Sequence, residues 1–179
     1  MSNEGLWPFY VSLRGGRGSV SSWLLFGTNS VLFGTNTVQS DVAGDVRWIS
    51  LAAPRARYYP DGFTNAIVAT GSRYSPPIGS ENGALTFSNG VVVFNGGNLS
   101  APFTNNVLRA LNDRITNEET NKLTLTISRS SGLQRGSVVV PETGQKVSFK
   151  GALFQNGDFG FGYFLHTNAS GTVLLAPRE

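Results

Sequence analysis

The sequence predicts an all-β fold, and three observations predict it. Glycine (22) and proline (8) are abundant while only 14% of residues are charged, too few charges for long solvated helices or a coiled coil. Apolar and polar residues alternate, most clearly where Leu123, Leu125 and Ile127 interleave with Thr124, Thr126 and Ser128, the period of a half-buried strand. Turn dipeptides such as Asp61-Gly62, Asn82-Gly83, Asn89-Gly90 and Asn156-Gly157 recur at the roughly 8–12-residue spacing of barrels and sandwiches. The expected architecture is an antiparallel meander closing into a barrel or strongly curved sheet of about 10–12 strands, with a β-sandwich as the alternative. No linker or composition shift divides the chain, so residues 1–179 read as a single all-β domain.

Taken in order, Trp7 to Leu13 and Ser19 to Phe26 are strand candidates separated by Arg14-Gly15-Gly16-Arg17-Gly18, whose glycines supply the positive φ of a hairpin loop. Leu25-Phe26-Gly27-Thr28-Asn29 recurs as Leu32-Phe33-Gly34-Thr35-Asn36, too short a period for a solenoid and suited to lengthening one hairpin. Val46 to Leu51, Phe63 to Tyr74, Leu85 to Phe87 and Val91 to Phe94 follow as strands. Residues 105–115 carry two readings, strand or helix. Val107, Leu108, Leu111 and Ile115 also fit a helical stripe, with Thr104 or Asn105 as N-cap. Val138 to Val140 leads through Pro141-Glu142-Thr143-Gly144 into a strand with Val147, Phe149, Gly151 and Leu153 on one face. After Asn156-Gly157, Phe159, Phe161, Tyr163 and Leu165 share a face, and Ser170-Gly171 precedes a last strand with Val173 and Leu175. Gly160 and Gly162 fit a strand that makes room for neighbouring aromatic rings or bends sharply, which favours a barrel.

Composition excludes much chemistry. With no cysteine and one histidine, thiol catalysis, disulfides and the usual zinc-ligand sets cannot be built. His166 would need a nucleophile and a carboxylate beside it, and no Gly-x-Ser-x-Gly elbow is present; it reads as a strand-end or turn residue. The acidic residues fall mostly in predicted turns, and Asp158-Phe159-Gly160 lacks the companion motifs of a kinase. Asp41 and Asp45 flank Ala43-Gly44 in what reads as a loop, without EF-hand spacing. The expectation is therefore no catalytic residues, no metal, no cofactor and no enzyme. The net charge of +3 comes from dispersed arginines rather than a dense stripe, which argues against nucleic acid as a partner. No apolar run approaches the roughly 18 residues of a membrane helix, and the amino end lacks signal-peptide features.

The aromatic residues are the most suggestive feature. Most belong to a core, but Tyr58-Tyr59-Pro60-Asp61-Gly62 lies in a predicted loop where adjacent tyrosines cannot both turn inward. Tyr58 and Tyr59, with Trp48 and Tyr74, are the candidate ligand-binding residues, a stacking platform for polysaccharide.

Trp7-Pro8-Phe9-Tyr10-Val11-Ser12-Leu13, Gly18-Ser19, Trp23-Leu24-Leu25-Phe26, Trp48-Ile49, Tyr58-Tyr59-Pro60-Asp61-Gly62-Phe63 and Gly71-Ser72-Arg73-Tyr74 follow in one order. Asn121-Lys122-Leu123-Thr124-Leu125-Thr126-Ile127, Ser148-Phe149-Lys150-Gly151 and Gly162-Tyr163-Phe164-Leu165-His166-Thr167-Asn168-Ala169-Ser170-Gly171 continue it. Together they resemble a β-rich repeat module, without an assigned activity, near the carboxyl ends of very large secreted or surface proteins of environmental bacteria. The resemblance covers nearly the whole chain and is to the second half of a longer unit; where the family has glycine this chain has His166, and the duplicated Phe-Gly-Thr-Asn stretch is outside the pattern. It implies a secreted or cell-surface setting, neighbouring domains as partners, and exposed apolar surface or self-association through open sheet edges, since a missing half leaves edges unpaired. The expected function is a non-catalytic module for adhesion, spacing or domain presentation. The alternatives are a carbohydrate-binding module and a barrel that encloses a small apolar ligand.

Overall fold

The computed structural model describes residues 2–33, 36–166 and 168–178; the duplicated stretch's Gly34 and Thr35, and Thr167, lie outside the described residues. Strand accounts for 59% and helix for 4%, with antiparallel sheets, as the sequence predicts. The contacts divide the chain into two compact units, Met1–Arg73 and Tyr74–Glu179. The division falls where the sequence reads one strand, Phe63 to Tyr74. That strand ends at Gly71 because the backbone N–H groups beyond it are taken by side chains. Arg73 donates to the Asp41 carboxylate at 2.6 Å and Ser75 to Gln155 Oε1 at 2.7 Å, and Pro76-Pro77 has no N–H for a ladder.

The first unit is a four-stranded sheet in chain order: β1 (Leu6–Leu13), β2 (Gly18–Phe33), β3 (Asn36–Ser50) and β4 (Phe63–Gly71). A three-residue 3-10 turn, Arg14–Gly16, joins β1 to β2, with positive φ at Arg14, Gly15 and Gly16 as the glycine-rich loop predicts. β2 and β3 form a long hairpin that runs through the duplicated stretch, with a register shift between Phe26 and Asn29. Asp41 and Asp45 therefore sit in β3, not in the loop the sequence suggested, because β3 continues through them, paired with β2 and, from Val42 onward, with β4 as well.

The second unit carries eight strands: β5 (Asn89–Gly96), β6 (Phe103–Arg109), β7 (Ile115–Asn117), β8 (Thr124–Ile127), β9 (Leu133–Val139), β10 (Lys146–Phe154), β11 (Phe159–His166) and β12 (Ala169–Pro177). Their order, β7-β6-β5-β12-β11-β10-β9-β8, is a meander whose last strand pairs with its first, and the edges β7 and β8 approach through a bridge between Arg114 and Thr126. The sheet is nearly closed into a barrel. Residues 105–115 are strand, turn and the start of another strand, so the helical reading is overturned. Asn105, Val107 and Arg109 alternate inward, and the buried Asn105 amide is satisfied by Asn117 of β7 and by Asn121 in the segment that follows it.

The barrel interior is occupied by its own side chains. Phe94 is fully buried, stacks on Phe103 at 4.8 Å, and meets Phe149 and Phe164 edge-on at 5.4 and 5.8 Å. Burying each such ring contributes about 1.5–3 kcal/mol. On β10 the predicted inward face, Val147, Phe149 and Leu153, is buried. On β11 the aromatic face turns outward beyond Phe159, leaving Phe161 40% and Tyr163 54% exposed, while Gly160 and Gly162 point inward. The reason is close approach. Gly162 pairs with Gly151, and a Cβ on either would lie 2.2 Å from a carbonyl oxygen of the partner strand; one on Gly160 would meet the Gln134 amide at 2.5 Å. The glycines thus admit a neighbouring strand and a buried glutamine, not aromatic rings.

Leu85 to Phe87 is not a strand. Leu85 and Ala84 are buried, but side chains rather than a neighbouring strand satisfy this segment's backbone. Asp113 accepts from Ala84 N–H at 2.8 Å, and Asp158 accepts from Thr86 N–H at 2.7 Å. Asp113 is also clasped by Arg109 at 3.2 Å and Arg129 at 2.8 Å, and Arg129 donates to Asn82 O at 2.9 Å. The clasp satisfies the buried Asp113 carboxylate and fastens residues 79–86 to the barrel.

Candidate functional site

In the first unit, register decides which side chains share a face. Trp7, Phe9, Val11 and Leu13 of β1 lie on the same face as Val20, Leu24 and Phe26 of β2, Val42, Val46 and Trp48 of β3, and Phe63 and Ile67 of β4. This face is nearly all apolar, yet Val46 is the only hydrophobic residue buried among the described residues of the unit. A sheet normally hides such a face against a second layer.

Two aromatic clusters form on it. Trp7 packs against Phe9 and Phe26 at 5.9 and 6.1 Å, and Phe63 receives Trp48 and Tyr59 edge-on at 5.2 and 5.3 Å. Trp48 and Tyr59, each 40% exposed, are thus brought together through Phe63. Tyr59 has φ of 51°, the left-handed backbone that turns it out of the loop. Tyr58 is half-buried with the Arg57 guanidinium 5.4 Å from its ring.

Tyr74 belongs to the other unit. Its ring packs against the barrel core and its hydroxyl donates to Arg129 O at 2.7 Å, next to the Asp113 clasp. Desolvation first, and then the negative charge of Asp113, push its pKa above the usual tyrosine value. Its placement is that of a core-packing side chain.

The opposite face of the first sheet is mixed. Cross-strand rows place Pro8, Trp23, Asp45 and Val68 side by side, and Tyr10, Ser21, Arg47 and Ala66 in the next row. Tyr10 is 69%, Trp23 64% and Val68 62% exposed, and a groove of about 410 Å³ runs across these rows. The sequence already carries the signal for this face in Ser19-x-Ser21-x-Trp23 and Pro8-x-Tyr10. The acid and base beside Trp23 emerge only from the register of β3.

His166 and Asp113 are buried in the barrel. His166, the last residue of β11, is 2% exposed with Nδ1 3.0 Å from Gly97 O, and Asp113 is held by two arginines and a backbone N–H. Among the described residues no three of His, Cys, Asp and Glu gather in the manner of a metal site. Among the described residues no helix is long and apolar enough to cross a membrane. No known protein family matches the chain, and neither a curated protein nor a solved structure does.

Proposed function

We propose that the chain is a non-catalytic module of a secreted or cell-surface protein, in which the barrel serves as spacer and scaffold and the first sheet as the adhesive surface. The observation that carries this reading is the contrast in burial. The barrel fills itself with Phe94, Phe149, Phe164 and Leu175, leaving its interior to its own side chains, whereas the first sheet keeps large aromatics in contact with solvent. The structural ties of His166 and Asp113 support a non-catalytic role.

A second reading, carbohydrate binding, is favoured by Trp48 and Tyr59 sharing one cluster, because exposed rings with polar tips stack on sugar faces. Affinity electrophoresis in gels cast with soluble polysaccharides tests both readings. Retention that is lost in Trp48→Ala and Tyr59→Ala supports the platform; equal retention of wild type and both variants removes it. Release of reducing sugar ends in the same gels would overturn the non-catalytic reading.

A further inference from the structure

We propose that the mixed face of the first sheet is a self-complementary surface whose occupant is the same face of a second copy of this chain. It lies opposite the Trp48–Tyr59 cluster and stands independently of the polysaccharide reading.

Asp45 and Arg47, two residues apart on β3, point to this face and are exposed. A two-fold axis lying in the interface at the level of Val46 and perpendicular to the strands sets Asp45 of one copy over Arg47 of the other, and the reverse. One acid and one base then form two ion pairs, which is what an isologous contact requires.

The same axis matches shapes. It lays the row of Pro8, Trp23 and Val68 over the row of Tyr10, Ser21 and Ala66, so that Trp23 falls on Ser21 and Val68 on Ala66. In the outer rows it lays Leu25 on Ser19, Leu6 on Ser12 and Ile49 on Ala43. Large side chains meet small ones in five of these pairs, while Pro8 lies on Tyr10 and Thr64 on Thr70, a mostly interdigitating match of the kind two packed sheets about 10 Å apart need.

The area is sufficient. Four strands spaced about 4.8 Å, each about eight residues long, present roughly 500 Å² per face, so two copies bury about 1,000 Å², the lower bound of a specific interface. The exposure of Trp23, Tyr10 and Val68 would be removed together.

Sedimentation equilibrium of the full chain tests this with two charge variants, Asp45→Arg and Arg47→Asp. The wild type is expected to dimerise at micromolar concentration. Each variant alone carries like charges on both facing surfaces, and its dimer is expected to weaken at least ten-fold. Mixing the two variants in equal amounts places two bases over two acids and restores a dimer. That rescue also shows that both variants are folded. Ser21→Trp, which sets a large ring where Trp23 of the second copy must sit, is expected to keep the circular dichroism of the wild type and remain monomeric. A wild type that stays monomeric at high concentration, variants that dimerise as well as the wild type, or a mixture that stays monomeric would each overturn the proposal.

Discussion

The same alternation of apolar and polar residues builds both sheets, and the two end in opposite states. Eight strands in the second unit bend until β7 and β8 approach, and one face of the sheet becomes an interior in which Val92, Phe94, Val107 and Val173 are fully buried. Four strands in the first unit cannot close, and Trp7, Trp23 and Trp48 keep 42%, 64% and 40% of their surface in solvent. Hydrophobic pattern alone specifies a face; only enough strands, or a second layer, turn it into a core. The large side chains of the barrel stabilise it from within, while those of the first sheet keep much of their surface exposed.

Substitutions sharpen this contrast, beginning with the largest effect. Phe94→Ala removes a ring that touches three others, and is expected to lower barrel stability by about 3–5 kcal/mol in denaturant unfolding. Asp113→Ala leaves the buried Arg109 guanidinium without its carboxylate and unfastens residues 79–86, with an expected loss of about 3 kcal/mol. Gly162→Ala drives a Cβ against Lys150 O and is expected to cost about 1–3 kcal/mol. Trp23→Ser, at an exposed position of the other unit, is expected to change barrel unfolding by less than about 0.5 kcal/mol. A Trp23→Ser effect as large as that of Phe94→Ala would erase the distinction between the two units.

Tyr74 gives a smaller, pH-dependent effect. Its folded pKa is raised, so the unfolded chain loses this proton first as pH climbs. Below the unfolded value, near 10, Tyr74 adds no pH dependence; above it, stability falls until the folded pKa is passed. The difference in unfolding free energy between wild type and Tyr74→Phe, measured from pH 8 upward, is expected to be flat at first and then to shrink as the wild type loses stability. A difference that grows with pH would contradict the burial of the hydroxyl beside Asp113.

Much of this fold was legible in the sequence. The alternation at Leu123–Ile127, the turns at Pro141–Gly144 and Asn156-Gly157, and the glycine-rich hairpin loop all lie where local chemistry predicts them. What was hidden depended on partners distant in sequence. Leu85–Phe87 has a strand's composition, but its backbone is claimed by Asp113 and Asp158, and no local rule announces that. Residues 105–115 fit a helical stripe until Asn117 and Asn121 satisfy Asn105 across the sheet. The outward turn of Phe161 and Tyr163 follows from the pairing of Gly162 with Gly151, again a matter of register. Of the candidate site, the loop reading anticipates an outward Tyr59, whereas the packing of Tyr59 and Trp48 on the same ring, Phe63, depends on a tertiary contact that no local pattern announces. Tyr74 looked equivalent as a residue type, and only its hydrogen bond to Arg129 O sets it apart.

The barrel buries its apolar face by itself, whereas the first sheet leaves large side chains exposed and, in our proposal, covers those of its mixed face by pairing with a second copy. Amide hydrogen exchange of the full chain, followed by mass spectrometry over a hundred-fold range of protein concentration, tests this contrast most directly. Amides of β5, β10, β11 and β12 are expected to be strongly protected at every concentration, and those of β1 to β4 to gain protection as concentration rises. Protection of β1 to β4 equal to that of the barrel, and unchanged by dilution, would contradict the account.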